Sequence, residues 1–217
     1  MGLTLIRWWM MRKVKGDVLE VSAGTGRNLP YYPLQNQTVS SLTLTDKSIP
    51  MLKEAQQKLI KLYSDMDVSK VIFQCTDAEG MCRSHDHTTY PSQKRIPKQV
   101  SENTISEPNT FEERSFDTVV DTFGLCSHEN PVQALKQMAK VCKPGGRIIL
   151  IEHGRSYYDW LNKMLDESAE KHHAKWGCWW NRDIDHILEQ ADLNVISRDR
   201  WHFGTTYVIE ATVHTPS

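Results

Sequence analysis

The sequence predicts an α/β fold with a mainly parallel sheet, and three observations carry that prediction. Strand signals alternate with helix signals, the first strand runs into a glycine turn, and the last two β-rich runs are joined by a link too short for a crossover helix. With 217 residues, 39% of them hydrophobic, the chain is large enough for one sizeable core, so a single domain over 1–217 is expected.

The opening stretch MGLTLIRWWMMRKVKG mixes Arg7, Arg12, Lys13 and Lys15 with Trp8, Trp9, Met10 and Met11 and carries no acid. It is expected to form a helix packing its tryptophans on the domain, with peripheral membrane contact or weak targeting as the alternative. A myristoylation signal would place Ser or Thr where Ile6 stands.

VLEVSAGTGRNLP (18–30) reads as strand, glycine turn and helix, the strand itself being DVLEV (17–21). SLTLTD (41–46) is the second strand. After it Ser48 is placed to cap a helix with Pro50 in its first turn, and Leu52, Ala55, Leu59 and Leu62 recur at spacings of three and four. VIFQC (71–75) and FDTVVD (116–121) are the third and fourth strands, 131–141 is a helix, and KPGGRIILIEH (143–153) combines a helix stop, a Pro-Gly-Gly turn and an apolar strand. Helices are expected around 160–172 and 181–191, then LNVISRDR and TTYVIEATV as an antiparallel pair. Between the third and fourth strands, about 81–115 is polar and lacks apolar periodicity, which predicts a flexible surface insertion.

Lysine plus arginine (26) nearly balance aspartate plus glutamate (27), so no net field favours nucleic acid, and a small or neutral substrate fits better. Five cysteines without framework spacing, in a chain with no recognisable secretory leader, argue against a disulfide scaffold and for a reduced intracellular setting. No apolar run approaches the roughly 20 residues that span a bilayer.

The turn at Gly24 and Gly26 lets backbone approach a ligand, because glycine has no side chain and adopts positive φ. A dinucleotide site wants a third glycine where Leu29 stands, which weakens a nicotinamide reading. Asp46, about twenty residues past Gly26, is placed to accept from ribose hydroxyls. Asp77 is placed to accept from an adenine amino group, and Thr122 and Phe123 share the same carboxyl-end rim. The plainer alternatives are a strand-to-helix turn for the glycines, a helix cap for Asp46 and a turn start for Asp77.

Taken in order, LEVSAGTGRN, LTDKS, CTDAEG and FDTVVDTFGLCSHENPVQALKQMAKVCKPGGRIILIEHG resemble the motifs of class I S-adenosylmethionine-dependent methyltransferases. DTFGLCSHENPVQALKQMAKVCKPGGR is most similar to UbiE-type ubiquinone and menaquinone C-methyltransferases. EHGRSYYDWLNKMLDESAEKHHAKWGCWWNRD resembles fungal mitochondrial methyltransferase-like proteins of the Oms type.

The resemblance implies a Rossmann-like seven-stranded sheet with a terminal antiparallel hairpin, S-adenosyl-L-methionine as cofactor and a mitochondrial location, with cytoplasmic as the alternative. It implies that Ser22, Ala23, Gly24 and Gly26 wrap the methionine part, that Asp46 holds the ribose, that Asp77 and Ala78 hold the adenine, and that Thr122 and Phe123 close the side. Glu20 and Lys47 complete the expected set. The family often has glycine where Ser22 stands, and its N-terminal cap helices are nearly absent before Lys15, which implies weaker cofactor affinity.

Methyl transfer by in-line displacement needs alignment more than a metal. Where the acceptor is protonated, His128 in LCSHEN and His153 in LIEHG are the candidate bases, each with a structural role as its alternative, and Glu152 is a candidate to orient substrate. In KWGCWWNRD, Trp176, Cys178, Trp179 and Arg182 are the expected acceptor pocket, suited to an apolar, quinone-like or lipid-like small molecule. The alternative there is a tryptophan lid with Arg182 paired to Asp183 or Asp185. Cys75, Cys82, His85 and His87, and separately His172, His173 and Cys178, match no zinc spacing, so no metal is expected. The competing functional readings are a catalytically silent relative acting in binding or assembly, and a nicotinamide-dependent oxidoreductase.

Overall fold

The computed structural model describes residues 2–65, 67–82, 105 and 110–214. Helix α1 (Leu3–Met11) precedes β1 (Gly16–Val21), β2 (Val39–Asp46), α2 (Ile49–Leu62), β3 (Val71–Cys75), β4 (Phe116–Thr122), α3 (Pro131–Val141) and β5 (Cys142–His153). Helices α4 (Asp159–Trp176) and α5 (Ile184–Gln190) then lead to β6 (Asn194–Trp201) and β7 (Thr206–Thr212). The seven strands order as β3-β2-β1-β4-β5-β7-β6. The first five run parallel, and β7 inserts antiparallel between β5 and β6, as the short link predicts. This is the Rossmann-like seven-stranded sheet with a terminal antiparallel hairpin that the sequence predicts.

Central strands are apolar on both faces because helices cover both. One core joins Val18, Leu42, Leu44 and Ile149 to Ile6, Met10 and Met11 of α1 and to Leu52, Ala55 and Leu59 of α2. The other joins Leu19, Val119, Ile148 and Leu150 to Ala134, Leu135 and Met138 of α3 and Ile184 and Leu188 of α5. Asn130 caps α3 by accepting from the Gln133 amide at 2.9 Å, and Pro131 takes the first turn, where its missing N–H is not needed.

Four expectations are corrected. Helix α1 turns Ile6, Arg7, Met10 and Met11 inward and leaves Trp8 and Trp9 exposed, so its tryptophans do not pack on the domain. No α-helix follows the glycine turn: Pro30 and Pro33 permit only one 3-10 turn, Leu29–Tyr31, and Tyr32 is extended ahead of Pro33. In α2, Leu62 is exposed and Gln56 is buried instead. Ser48 occupies the N-cap position without a side-chain cap bond. The expected insertion at about 81–115 lies largely outside the described residues, and its two ends meet where the Phe111 amide donates to the Met81 carbonyl at 2.7 Å.

Candidate active site

At the carboxyl rim each loop hangs on its neighbouring strand: Ala23 N donates to Thr45 O (2.8 Å), Thr76 N to Asp46 O (3.1 Å) and Phe123 N to Ile151 O (2.7 Å). Ser22 (φ 52°) and Phe123 (φ 61°), just beyond β1 and β4, are held in the left-handed region. Such backbone is costly for non-glycine residues and concentrates at functional sites. It also explains why a glycine would suit position 22.

The two glycines of the turn do different work. At Gly26 (φ +69°) a Cβ would meet Leu29 Cδ1 at 2.6 Å and Ala55 Cβ at 3.0 Å, so this residue is small to let the turn pack on α2. At Gly24 (φ +55°) a Cβ would meet nothing within 4 Å. Its open face is the space a ligand would fill. Across that opening, Asp46 Oδ2 accepts from Gly24 N and Oδ1 from Ser48 N, both at 2.8 Å. Asp46 therefore both forms the turn into α2 and grips Gly24, and each carboxylate oxygen keeps a lone pair free. Asp77 accepts from Glu79 N at 3.0 Å and starts the turn Ala78–Gly80, where Ala78 is buried. The turn-forming roles of both acids are thus present, on the same rim.

Under the floor lies a polar network that sequence reasoning missed. Asn28, wholly buried, donates to Glu20 Oε1 (2.8 Å) and to Thr122 Oγ1 (3.0 Å) and accepts from Arg7. Arg7 also donates to Thr122 Oγ1 (3.1 Å) and lies over the Phe123 ring at 5.2 Å. Burial pushes Glu20 up to about 7, with Tyr32, Asn28 and Arg7 opposing it and Asp46 adding to it. Its Oε2 has no hydrogen bond of normal geometry. Asp121 and Glu152, equally buried, are raised well above the usual carboxylate range by burial first and by neighbouring acids second.

The candidate bases separate. His128 turns to the floor, Nε2 standing 3.2 Å from Ser22 Oγ, and burial lowers its pKa against Glu79 and Asp77, which favours the neutral ring. His153 instead contacts Cys178 and Phe123, with Nδ1 3.8 Å from Cys178 Sγ and its ring 4.2 Å from the Phe123 ring.

The expected acceptor wall is also rearranged. Trp179 stacks on His173 (4.2 Å) and Trp180 on His172 (3.8 Å), so both are occupied as packing surfaces, while Trp176 is 66% exposed under Lys175. Arg182 pairs with neither Asp183 nor Asp185 but donates to the His128 carbonyl at 2.6 Å. The open aromatic surface at this rim is instead Tyr158, Trp160 (60% exposed) and Phe203 (70% exposed), with centroids 6.3 and 6.5 Å apart about Tyr158. A cleft of about 270 Å³ lined by Lys140, Cys142, Ala191 and His214 lies at the opposite, amino end, away from this constellation.

A methyltransferase-domain family model matches residues 4–198. The chain is 40% identical over 205 residues to the mitochondrial methyltransferase OMS1 of Saccharomyces cerevisiae, covering 94% of this chain and 40% of the relative. It is 24% identical over 158 residues to the ubiquinone/menaquinone biosynthesis C-methyltransferase UbiE of a Ruegeria species, covering 73% of this chain and 50% of that protein. The chain thus spans two fifths to one half of the length of these relatives. Among solved structures the YcgJ protein of Bacillus subtilis superposes with a TM-score of 0.62 at 15% identity, covering 91% of this chain and 73% of that one.

Proposed function

Since the chain belongs to the methyltransferase-domain family, whose methyl donor is S-adenosylmethionine, we propose that it transfers that methyl group to a small apolar acceptor of quinone-like or lipid-like character. The observation that carries the proposal is the gripped, open turn at Gly24 and Asp46. A ligand with paired hydroxyls fits there, because Asp46 has acceptor capacity left and no side chain bars the approach.

In this reading Ser22, Ala23, Gly24 and Gly26 cradle the amino-acid end, Asp46 and Lys47 hold the ribose, and Asp77 and Ala78 hold the base. Thr122 and Phe123 close the side, and Arg7 bolts α1 down over them. The bound cofactor supplies an electrophilic methyl group. What the chain supplies is alignment and exclusion of water, worth more than any single acid or base. His128, neutral through burial, is the residue able to take a proton from an acceptor hydroxyl or carbon acid.

The acceptor's apolar character is supported by the exposed rim surface of Tyr158, Trp160 and Phe203. Exposed Leu5, Trp8 and Trp9 on α1, beside Arg12 and Lys13, fit contact with a membrane surface where such an acceptor resides. Among the described residues no helix is long and apolar enough to cross a membrane. We propose a mitochondrial location, supported by the likeness to the mitochondrial yeast relative. The test is turnover: the chain with methyl-labelled S-adenosylmethionine and phenolic, quinol and lipid acceptors in detergent. Label is expected in an organic-phase product. Cofactor binding without product from any acceptor would favour the silent binding or assembly role.

A further inference from the structure

We propose that Cys126, His153 and Cys178 form a divalent metal site of the zinc class, with three protein ligands and one open position. Two thiolates and one imidazole is a donor set that suits zinc, and three such ligands leave the fourth place of a tetrahedron for water or substrate. The ligand atoms all lie within 4.8 Å of one another, and the Cys178 Sγ to His153 Nδ1 distance is 3.8 Å. Around a tetrahedral zinc, bond lengths of about 2.0 to 2.3 Å place ligand atoms roughly 3.5 to 3.8 Å apart. Closing the set on an ion therefore takes movements of an ångström or less.

Three independent elements hold the geometry. Cys126 sits in the turn after β4, His153 ends β5, and Cys178 follows the left-handed Gly177 that stops α4. The Trp179 amide donates to the Cys126 carbonyl at 2.8 Å and ties the two cysteine loops together. Phe123 backs the imidazole. Both cysteines are buried, while His153 is half-buried, so the set has one side toward solvent.

On binding, the two thiols release two protons and the pair of thiolates neutralises the ion's charge. The competing fate of two adjacent thiols is a disulfide, which needs an external oxidant and leaves His153 with no role.

The inference does not depend on methyl transfer, and its test reads metal directly. The full chain is purified under reductant, stripped with chelator and titrated anaerobically with cobalt(II) alone. One equivalent is expected to saturate a thiolate-to-cobalt charge-transfer absorption with tetrahedral ligand-field bands, and zinc(II) is expected to displace it. Cys126→Ser and Cys178→Ser should each weaken cobalt binding by more than the about 10- to 100-fold typical of outer-shell changes, while Cys142→Ser, in a different part of the core, leaves it intact. Should the cysteine variants not fold, wild type still decides: two protons released per zinc supports the site. No absorption at millimolar cobalt, bands that survive both cysteine variants, or a Cys126–Cys178 disulfide in a chain that takes no metal would each overturn the proposal.

Discussion

Gly24 and Asp46 meet through one hydrogen bond between the ends of adjacent strands, β1 and β2, and their contact depends on backbone conformation more than on side-chain packing. Cys126, His153 and Cys178 meet only because three loops, separated by α3, β5 and α4, return to one point of the same rim. The first arrangement is local and the second is tertiary. A floor of the first kind tolerates change elsewhere in the protein, whereas a lip of the second kind registers any shift in the helices between its parts. If the two are independent, changes in one should add to changes in the other without coupling.

The largest expected effect lies beneath the floor. Because Glu20 rises from 4.5 to about 7, the folded chain keeps a proton that the unfolded chain has lost across that interval. Stability should therefore fall as pH rises from about 4.5 to 7, with the ionised carboxylate costing about 3 kcal/mol above pH 7. Glu20→Gln keeps the acceptor for Asn28 and cannot ionise. In urea unfolding it should match wild type near pH 5 and exceed it near pH 8 by roughly that amount; equal curves at both pH values would remove Glu20 from the account.

Next comes Asp46→Ala, which releases the amides of Gly24 and Ser48 and removes the proposed ribose acceptor. It should weaken S-adenosylmethionine by about 10- to 100-fold, the worth of hydrogen bonds to a charged group, and leave cobalt binding unchanged. The double variant Trp160→Ala, Phe203→Ala tests the exposed aromatic rim beside Tyr158. About 1 kcal/mol of lost aromatic contact would raise KM for an apolar acceptor roughly fivefold and leave KM for the cofactor where it was. Arg198→Ala breaks an exposed pair with Asp185, far from both regions, and should change stability by less than about 1 kcal/mol and neither binding reaction.

The same contrast explains what was legible in the sequence. Strands such as VIFQC and FDTVVD, the helix over 131–141, and the short link before β7 are local signals, and the structure has them where the residues place them. The glycine turn was legible for the same reason, although Pro30 and Pro33 replaced the expected helix with a single 3-10 turn. Arg7 was not, since a lone basic residue in a basic segment gives no sign that it will be buried against Asn28 and Thr122. The inward face of helix α1 is not legible in the sequence, because its tryptophans and its methionines are both apolar and only the docking partner decides between them. The Cys126, His153 and Cys178 set follows no short ligand spacing, so a search for zinc patterns passes over it. Trp179 belongs to the expected acceptor pocket, yet His173 stacks on it, a packing contact that composition does not encode.

The central claim is that the turn at Gly24, gripped by Asp46, is the floor of a sulfonium-cofactor site. Thermal melts of wild type and Asp46→Ala, each alone and with S-adenosylmethionine, S-adenosylhomocysteine or NAD, test it most directly. A ligand at about a hundred times its dissociation constant adds roughly 2.7 kcal/mol to the folded state and moves the melt by several degrees. The account predicts that S-adenosylmethionine and S-adenosylhomocysteine raise the wild-type melt, that NAD does not, and that Asp46→Ala loses most of the shift. No shift at millimolar cofactor, or an equal shift in Asp46→Ala, would contradict it.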